Sequence, residues 1–600
     1  MKTFFEPVQG MAGIEEIKKS FSRLGHAVMV SGCIDTQKAH LLEALGEQYP
    51  IRVVITSDEV KARQLREDCL FFDKSSIYYP AKDFIFYSAD VHGNQLAGER
   101  LACIYKIIQA QKHISEDSIS NGKTDGIQPE NKNAAGLTVM TTIDGCADLL
   151  VPLEKYKNAT ISFEKGQILD LEALSKELVQ IGYERCAIVD GQGKFAVRGG
   201  IIDIFPYTEE TPVRIELWDD EVDSIRLFDV ESQRSIENLE EIYIYPACEL
   251  VLTEEERRNG VAKIQKEAEK TAEKFRKEMK TEEAYRIKSM ADQIAEETME
   301  YGITAGLDAY LSYFCEERVS LLDYLKKEDS IVFLDETVRT IERGQSTETE
   351  FSESMKQRLE KGYILPGQMR ELFSCKEILA KMEKMACISL VALDLKNSHV
   401  DIKEKFVIDS KTVNPYNNSF DLLVKDLTRY KKNGYRVILL SGSRTRAKRL
   451  AEDLMAEELN AFYSEDFDHE VKPGEIMTGY GKIKKGYEYP LLKFVVISES
   501  DIFGSEKKKK KHHRTYEGEK IASFTDLNIG DYVVHENHGL GIYRGIEKIE
   551  VDKTVKDYIK IEYAGGGNLY ILATQLELIQ KYAGADAKKP KLNKLGGQEW

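Results

Sequence analysis

The chain has 600 residues, of which 42% are hydrophobic and 31% charged, and it carries a net charge of −18 at pH 7. A chain of this length does not fold around a single core, and we expect about four to five globular domains. Nonspecific affinity for DNA comes mainly from basic groups that neutralise phosphates, so this charge argues against nucleic-acid attraction over the whole surface.

Cysteine usage and the lack of long apolar runs indicate the compartment. The nine cysteines are scattered singly from Cys33 to Cys387, with no C-x-x-C pair and no Cys/His cluster at zinc spacing. This pattern is typical of free thiols in a reducing environment. The sequence has neither a signal-peptide core near its start nor a run of roughly 18 apolar residues. We therefore expect a cytoplasmic protein without a membrane partner.

Residues 1–152 are predicted to form an α/β domain. Apolar strands such as AVMVSG and IRVVITS alternate with helical stretches, for example Glu59 to Asp68. Strand and helix in turn indicate a parallel sheet with crossover helices. The polar tract from His113 to Ala135 is predicted to be a loop within this domain.

Residues 153–370 are predicted to form two further domains. Residues 153–252 contain short alternating strands, among them KFAVRGGIIDIFP and VRIELW, which indicate an inserted α+β domain with an antiparallel sheet. Residues 253–370 begin with highly charged amphipathic helix, whose alternating charges are typical of a solvated outer face.

The remaining third of the chain is predicted to hold a second α/β domain and a small β domain. The α/β domain covers residues 371–505, with its strands from about Phe406. A lysine-rich run follows in a basic linker at 506–522, and we interpret it as solvated because no aromatic residue interleaves it. Short strands between Gly and Asn turns at 523–583 predict a closed barrel, followed by a connector at 584–600.

A degenerate phosphate loop follows the first strand. The window from Gly32 to Ala39 reads G-C-I-D-T-Q-K-A, against the pattern G-x-x-x-x-G-K-[ST]. Gly32 and Lys38 keep their places, but Gln37 replaces the second glycine and Ala39 has no oxygen for Mg²⁺. Asp35 adds a negative charge where the loop should attract anions. A second candidate, Asn121-Gly-Lys-Thr, lies in the polar tract rather than after a strand, and we interpret it as a chance match.

Two acidic residues end a later apolar strand. Asp335 and Glu336 follow SIVFL, as in the Mg²⁺-binding second motif of motor ATPases. Taken alone this signal is weak, because such strand ends are common at exposed turns. Together with Lys38 the pair is a candidate for a relict nucleotide site.

Two histidines in the β domain suggest a metal site at first sight. His535 and His538 lie in the segment DYVVHENHGLG. No cysteine or acidic partner set accompanies them, so a turn formed by Asn537 and Gly539 is the favoured interpretation, and no metal site is predicted.

These motifs together resemble a DNA-repair family. The degenerate loop, the strand with Asp335-Glu336, and the segments FAVRGGIIDIFP and VRIELWDDEVDSIRLFD resemble, in order, the excision-repair protein UvrB. The later segments GYRVILLSGSRTRAKRLAEDL, FVVISESDIFG and GDYVVHENHGLGIYRGIEKI resemble the transcription-repair coupling factors, the Mfd family. The resemblance implies a UvrB-like degenerate helicase-type half followed by a CarD/Tudor-like domain.

The resemblance also implies that this chain stops before an ATP-driven DNA translocase. No intact phosphate loop occurs in the sequence. We therefore expect neither catalysis nor a cofactor here, with ATP, Mg²⁺ and most DNA contact assigned to the missing motor.

Partner-binding residues follow from the resemblance. In UvrB the inserted domain binds UvrA, and the matching residues here are Arg185, Arg198, Phe205 and Glu216, while Ala196 stands where a second arginine is expected.

The terminal domain resembles one that binds the RNA polymerase β subunit, and here the expected residues are Tyr558, Ile559, Lys560 and Ile561. Ile559 or Ile561 is expected to be exposed and to join edge pairing, although both are alternatively core residues.

The sequence thus predicts an adaptor for transcription-coupled nucleotide-excision repair, which holds stalled polymerase and recruits UvrA. Two alternatives remain open. One is a UvrB-type ATP-dependent DNA-damage-binding protein that uses Lys38 with Asp335 and Glu336. The other is a CarD-type transcription regulator without a repair role.

Overall fold

The fold is taken from a computed structural model that describes most of the chain. The described residues are 1–11, 13–21, 27–82, 94–120, 136–230, 232–301, 307–394, 400–504, 518–520, 527–535, 538–551, 554–564, 567–572, 579–582 and 592–593. Within these ranges no helix is both long and apolar enough to cross a membrane.

The first segment alternates strands and helices, as predicted. Its elements are α1 Lys2–Gln9, α2 Ile14–Phe21, β1 Ala27–Ser31, α3 Asp35–Gly46, β2 Ile51–Thr56, α4 Glu59–Cys69, β3 Ile77–Tyr79, α5 Asn94–Ser120, β4 Leu137–Thr142, α6 Ile143–Ala147 and α7 Leu153–Asn158. Helix α5 continues to Ser120, so the prediction of a loop is wrong for residues 113–120. Near the start of the tract, Ile114 packs against the main core. This tertiary packing stabilises helix rather than loop. Residues 121–135, including the Asn121-Gly-Lys-Thr match, lie outside the described part.

The next segment is the predicted antiparallel domain. Its elements are β5 Ile161–Glu164, α8 Leu171–Gln180, β6 Glu184–Arg185, β7 Lys194–Arg198, β8 Ile201–Phe205, β9 Val213–Trp218, β10 Glu221–Phe228, β11 Ser235–Leu239 and β12 Glu241–Ile244. Six strands pair in the order β11-β10-β9-β8-β7-β6, and β12 pairs with β5. Alternate residues such as Phe195 and Ile202 point to a core that α8 closes with Leu174 and Leu178. We call residues 161–244 the inserted domain.

The third segment returns to the first sheet. Its elements are α9 Glu254–Lys277, α10 Thr281–Tyr301, α11 Leu311–Phe314, β13 Ser330–Asp335, α12 Thr337–Glu360, α13 Cys375–Met382, β14 Ala386–Val391 and β15 Ile402–Val407, with 3-10 turns at Leu307–Tyr310, Leu321–Tyr324 and Pro366–Arg370. One parallel seven-stranded sheet results, in the order β15-β1-β14-β13-β2-β4-β3. We call it, with its helices, the first α/β unit.

The position of β14 and β15 corrects the predicted domain boundary at residue 371. Strand β14 pairs with both β1 and β13, and β15 pairs with the free side of β1. These strands therefore complete the first sheet instead of opening the second α/β domain. Strand β14 is buried on every residue, and only a place between two strands of a covered sheet buries it on both faces.

The second α/β unit begins after residue 410. Its elements are β16 Lys411–Thr412, α14 Phe420–Lys432, β17 Arg436–Ser441, α15 Arg444–Ala456, β18 Ala461–Tyr463, β19 Ile476–Tyr480, β20 Tyr487–Tyr489, β21 Phe494–Ser498 and α16 Glu499–Phe503. The strand order is β16-β20-β21-β17-β19-β18. Its core continues into that of the first unit, where buried His40 stacks on Tyr487 and contacts the Tyr489 hydroxyl at 3.0 Å. The two units therefore pack as one body.

The last described strands form an antiparallel sheet. They are β22 Gly518–Lys520, β23 Tyr532–His535, β24 Gly539–Val551, β25 Thr554–Glu562, β26 Asn568–Leu572 and β27 Ile579–Tyr582. They pair in the order β22-β27-β23-β24-β25-β26, and we call this the terminal sheet. The mixed α/β multidomain class is confirmed, whereas closure into a barrel stays a prediction. The lysine run at 507–511 lies outside the described residues.

Candidate functional sites

The loop after β1 has the backbone course of a phosphate loop. Buried β1 ends at Ser31, Gly32 takes the positive φ of +82°, and α3 begins at Asp35. A side chain at Gly32 would collide with the carbonyl oxygen of Ile408. The residues that join the first and second α/β units therefore pass directly over this loop.

The backbone amides of the loop are already bonded within the protein. Gly32 N–H donates to the Ala392 carbonyl at 3.2 Å, and Cys33 N–H donates to the Val391 carbonyl at 3.1 Å. Ile34 N–H donates to Gln37 Oε1 at 3.0 Å. Gln37 lies in the first turn of α3 and not in a glycine-like conformation. A phosphate needs such amides free, so this loop does not offer the cradle of an active nucleotide site.

Lys38 is held by three carboxylates. Its Nζ donates to Asp335 Oδ1 at 2.6 Å, to Glu336 Oε1 at 2.7 Å and to Asp35 Oδ1 at 3.1 Å. Lys61 Nζ lies 2.8 Å from the other oxygen of Asp335. We call these five residues the sealed cluster, because the lysine that would reach a phosphate is buried and fully paired. The structure thus brings together Lys38, Asp335 and Glu336, as the sequence predicted.

The acids of the cluster fix the charge of Lys38. Burial by itself would lower the pKa of the Lys38 ammonium, but Asp335 and Glu336 outweigh burial and raise that pKa above its ordinary value. In the same way, burial would raise the pKa of Asp35, and Lys38 and Lys61 lower it instead. Lys38 and Asp35 are therefore both charged at neutral pH.

Magnesium does not fit the residues of this cluster. Oxygens of Asp35, Asp335 and Glu336 lie within 4.8 Å of one another, a spacing that suits a cation. The Lys38 ammonium bonds one oxygen of each and so occupies the position of the cation. Ala39, where a phosphate loop has its Mg²⁺-binding hydroxyl, contributes only a buried methyl group.

A cavity remains beside the cluster. It measures about 620 Å³ and its wall combines apolar Cys33 and Val391 with charged Lys61, Glu336 and Arg339. Both signs of charge meet there, so the wall does not favour a polyphosphate.

The second candidate site is the outer face of the inserted domain, which bears Arg198, Asp203, Arg214 and Glu216. The register pairs Arg198 with Ile201 and Ala196 with Asp203 across the Gly199-Gly200 turn. Asp203 is buried and accepts from two arginines: Arg198 Nη2 at 2.6 Å and Arg214 at 2.7 and 2.9 Å. The side chain of Arg198 is 46% exposed, so this ion pair lies at the surface of the domain although its carboxylate is buried.

A second ion pair lies one strand further on. Glu216 accepts from Arg226 and, at 3.2 Å, from the Ser224 hydroxyl. Phe205 lies half-buried on the same face, at the opposite end of β8 from the Gly199-Gly200 turn. Arg198, Phe205 and Glu216 therefore share one face, as the predicted partner site requires.

Arg185 does not join that face. It lies exposed on the edge strand β6, in register with Phe195, whose side chain points into the core. Arg185 is therefore on the other side of the sheet from Arg198. Ala196, where a second arginine was expected, is buried opposite Asp203, and Arg214 supplies the second guanidinium from β9.

The terminal sheet contradicts one expectation. Ile559 and Ile561 are fully buried in its core, and β25 is paired on both sides, with β24 and with β26. Neither isoleucine is an exposed residue at an edge, so the alternative of core packing is the correct one. Tyr558 and Lys560 alternate with them and are half-exposed, and Lys560 Nζ bonds Glu547 Oε1 at 2.6 Å.

The histidines of the terminal sheet do not form a metal site with acids. Their rings lie 4.8 Å apart, and burial of His535 lowers its pKa to about 4. Among the described residues, the only group of three metal-binding side chains is the sealed cluster, which contains neither histidine.

Comparison with known proteins matches two regions of the chain to known domain families. Residues 161–250 match the UvrB interaction domain, and residues 527–583 match the CarD-like/TRCF RID domain. The inserted domain and the terminal sheet thus each correspond to a known interaction domain.

Nearly the whole chain is similar to transcription-repair-coupling factors. It is 33% identical over 551 residues to the one of Bacillus subtilis (strain 168), covering 91% of this chain and 44% of the relative. It is 31% identical over 583 residues to the one of Staphylococcus haemolyticus, covering 96% of this chain and 47% of the relative. The resemblance expected from the sequence is confirmed, and the chain spans less than half the length of these relatives.

Proposed function

We propose that this chain is the recruiting part of a transcription-coupled nucleotide-excision repair factor. The terminal sheet holds the β subunit of stalled RNA polymerase, and the outer face of the inserted domain recruits UvrA. The observation that carries the proposal is the half-exposed side chain of Arg198, whose guanidinium is held by buried Asp203 on a rigid sheet. A pre-oriented arginine recognises a partner carboxylate at a small cost in side-chain entropy.

The polymerase contact is assigned to the outward residues of the terminal sheet. Tyr558 and Lys560 lie on the outer side of β25, beside Tyr570 of β26. Among the described strands β26 is last in the pairing order, and we assign to its outer edge the pairing with a strand of the partner. This edge takes the place of the edge pairing first expected at Ile559 and Ile561.

ATP, Mg²⁺ and most DNA contact are proposed to belong to a translocase outside this chain. The bonded amides of Gly32 and Cys33 and the paired state of Lys38 support a scaffold role for the relict loop. We expect no catalytic activity and no cofactor for these 600 residues.

Binding of purified partners tests the proposal. Immobilised chain should capture UvrA and RNA polymerase separately, and Arg198→Glu should abolish only the capture of UvrA. Lys176→Glu is the matched control, because this exposed residue lies on α8, across the domain from the outer face. Loss of polymerase binding by Arg198→Glu, or retention of UvrA, would contradict the division of labour.

Two further measurements separate the alternatives. Titration calorimetry with Mg-ATP should give no heat of binding, and micromolar affinity would favour the ATP-dependent alternative. Capture of polymerase together with failure to bind UvrA would favour a transcription regulator of the CarD type.

A further inference from the structure

The outer face ends in an exposed tryptophan. Trp218 is the last residue of β9, and its side chain is 81% exposed. It lies two residues after Glu216 and therefore on the same side of the sheet. The register pairs Trp218 with Glu221 across the Asp219-Asp220 turn.

This turn adjoins the one that carries Arg198. Leu217 N–H donates to the Gly200 carbonyl at 2.8 Å, so the turns Gly199-Gly200 and Asp219-Asp220 lie at the same end of the sheet. Arg198 on β7 and Trp218 on β9 are two strands apart, and Trp218 lies two residues beyond Glu216, which the register places opposite Arg198. The two positions are thus roughly 12 Å apart. One partner surface can therefore contact both side chains.

The fold of the domain does not need the Trp218 ring. The core consists of residues on the other side of the sheet, such as Ile215 and Val222, which α8 covers. Tryptophan and arginine are the residues most enriched among those that carry binding energy at interfaces. An exposed tryptophan near a fixed arginine is therefore typical of the centre of a protein–protein interface.

The charges around Trp218 indicate what it binds. Asp219, Asp220, Glu221 and Asp223 are exposed, and within the described residues their carboxylates form no ion pair. An indole face attracts ammonium and guanidinium groups, and nearby carboxylates strengthen that preference. The complementary group is thus a lysine or arginine on the partner.

We propose that Trp218 is the aromatic anchor of the UvrA-binding face. A basic side chain of UvrA lies over the indole ring and pairs with Asp219 or Asp220, while a carboxylate of UvrA bonds Arg198. This inference rests on the proposed function, because it names the chemistry of the same partner. It adds that the partner patch carries charges of both signs.

Affinity measurements test the anchor. Trp218→Ala should weaken UvrA binding at least tenfold, and Trp218→Phe should weaken it less, since it keeps a ring. Asp219→Asn together with Asp220→Asn should also weaken binding and reduce its dependence on salt. Val179→Ala is the control, because Val179 is an exposed apolar residue on α8, across the domain, and should leave affinity unchanged.

Fluorescence reports whether the ring becomes buried. The sequence has two tryptophans, Trp218 and Trp600, so Trp600→Phe leaves Trp218 as the only one. Labelling the chain with 5-hydroxytryptophan allows selective excitation in the presence of unlabelled UvrA. Binding should shift the emission of Trp218 to shorter wavelength.

The outcomes distinguish the two proposals. UvrA binding with unchanged affinity in Trp218→Ala, or without an emission shift, overturns the anchor and leaves the proposed function standing. No binding of UvrA by the parent chain overturns both. A tenfold loss in Trp218→Ala, an emission shift and an unaffected Val179→Ala variant support the anchor.

Discussion

Two buried carboxylates in this protein each pair with two cations, but these cations differ in their exposure to solvent. Asp335 in the sealed cluster and Asp203 on the outer face are each 2% exposed, and each forms ion pairs with two basic side chains. At Asp335 the two lysines are 1% and 20% exposed, whereas at Asp203 Arg198 is 46% exposed. We infer that the exposure of the cation distinguishes a charge cluster that stabilises the fold from one that is proposed to bind a partner.

The largest expected effect is the loss of the buried cation. Lys38→Met leaves Asp335 and Glu336 without their shared partner, and removing one member of a buried ion pair costs about 3–5 kcal/mol. Chemical denaturation measures this loss as the decrease in the free energy of unfolding of the unit that contains the seven-stranded sheet.

Lys176→Met is the control for this change. The Lys176–Glu172 pair is exposed, and such pairs contribute about 0–1 kcal/mol. The double variant Lys38→Met with Asp335→Asn should recover part of the stability. A Lys38→Met variant as stable as the parent would show that the cluster does not hold the fold.

The next largest effect is a pH dependence of stability, which arises from a histidine on α3, the helix that also carries Lys38. His40 lies in α3, and burial lowers its pKa from 6.5 to about 4. The unfolded chain thus binds the proton more readily, so stability is fully present above pH 6.5 and falls as pH drops towards 4. The loss amounts to about 3 kcal/mol, at 1.36 kcal/mol per pKa unit.

Thermal denaturation at several pH values, with His40→Gln for comparison, measures this contribution. His40→Gln should lose less stability than the parent between pH 6.5 and 4. Equal slopes for the two chains would mean that other groups cause the dependence.

A smaller effect on stability is expected at the outer face. Asp203→Asn keeps the shape of the side chain but weakens its bonds to Arg198 and Arg214, which should cost about 1–3 kcal/mol. Because Arg198 is then less firmly held, affinity for UvrA should also fall. Surface plasmon resonance and denaturation of the same sample measure both.

A double-mutant cycle isolates the role of Asp203. If Asp203 acts through Arg198, adding Asp203→Asn to Arg198→Ala should not weaken binding further. Additive losses would show that Asp203 does not position Arg198. Asp190→Asn, at an exposed pair with Lys194, is the control.

The smallest effect on stability is expected at Arg198, and it distinguishes the outer face most clearly from the sealed cluster. Arg198→Ala removes a half-exposed cation, so it should cost at most about 1 kcal/mol of stability while it strongly weakens UvrA binding. Thermal denaturation and the capture assay provide the two values. A destabilisation as large as that of Lys38→Met would remove the distinction between the two regions.

Local features of the sequence were predictable because neighbouring residues determine them. The strand, the turn at Gly32 and α3 follow from apolar periodicity and from glycine, and Lys38 and Asp335 meet because both follow strands of one parallel sheet. The outer position of Arg198 follows from alternation in β7.

Other structural features depend on pairings between distant residues, and the sequence did not predict them. The place of β14 beside β1 joins residues more than 350 positions apart, and no local pattern specifies it. Asp203 was missed as the partner of Arg198, and Arg214 as the second cation on Asp203, although a tight turn at Gly199-Gly200 places Asp203 opposite Ala196. The burial of Ile559 and Ile561 depends on β26, which makes β25 an inner strand.

The seven-stranded sheet pairs strands that are far apart in the sequence, and this pairing sets the order in which the molecule can fold during synthesis. Ala27 pairs with Cys387 and Ile402, so β1 lacks both neighbours until that part of the chain has left the ribosome. At about 5–20 residues per second this takes roughly 20–70 s. The inserted domain has its own core and completes all its strand pairs within residues 161–244, and so the surface with Arg198 and Trp218 forms before the scaffold that carries it.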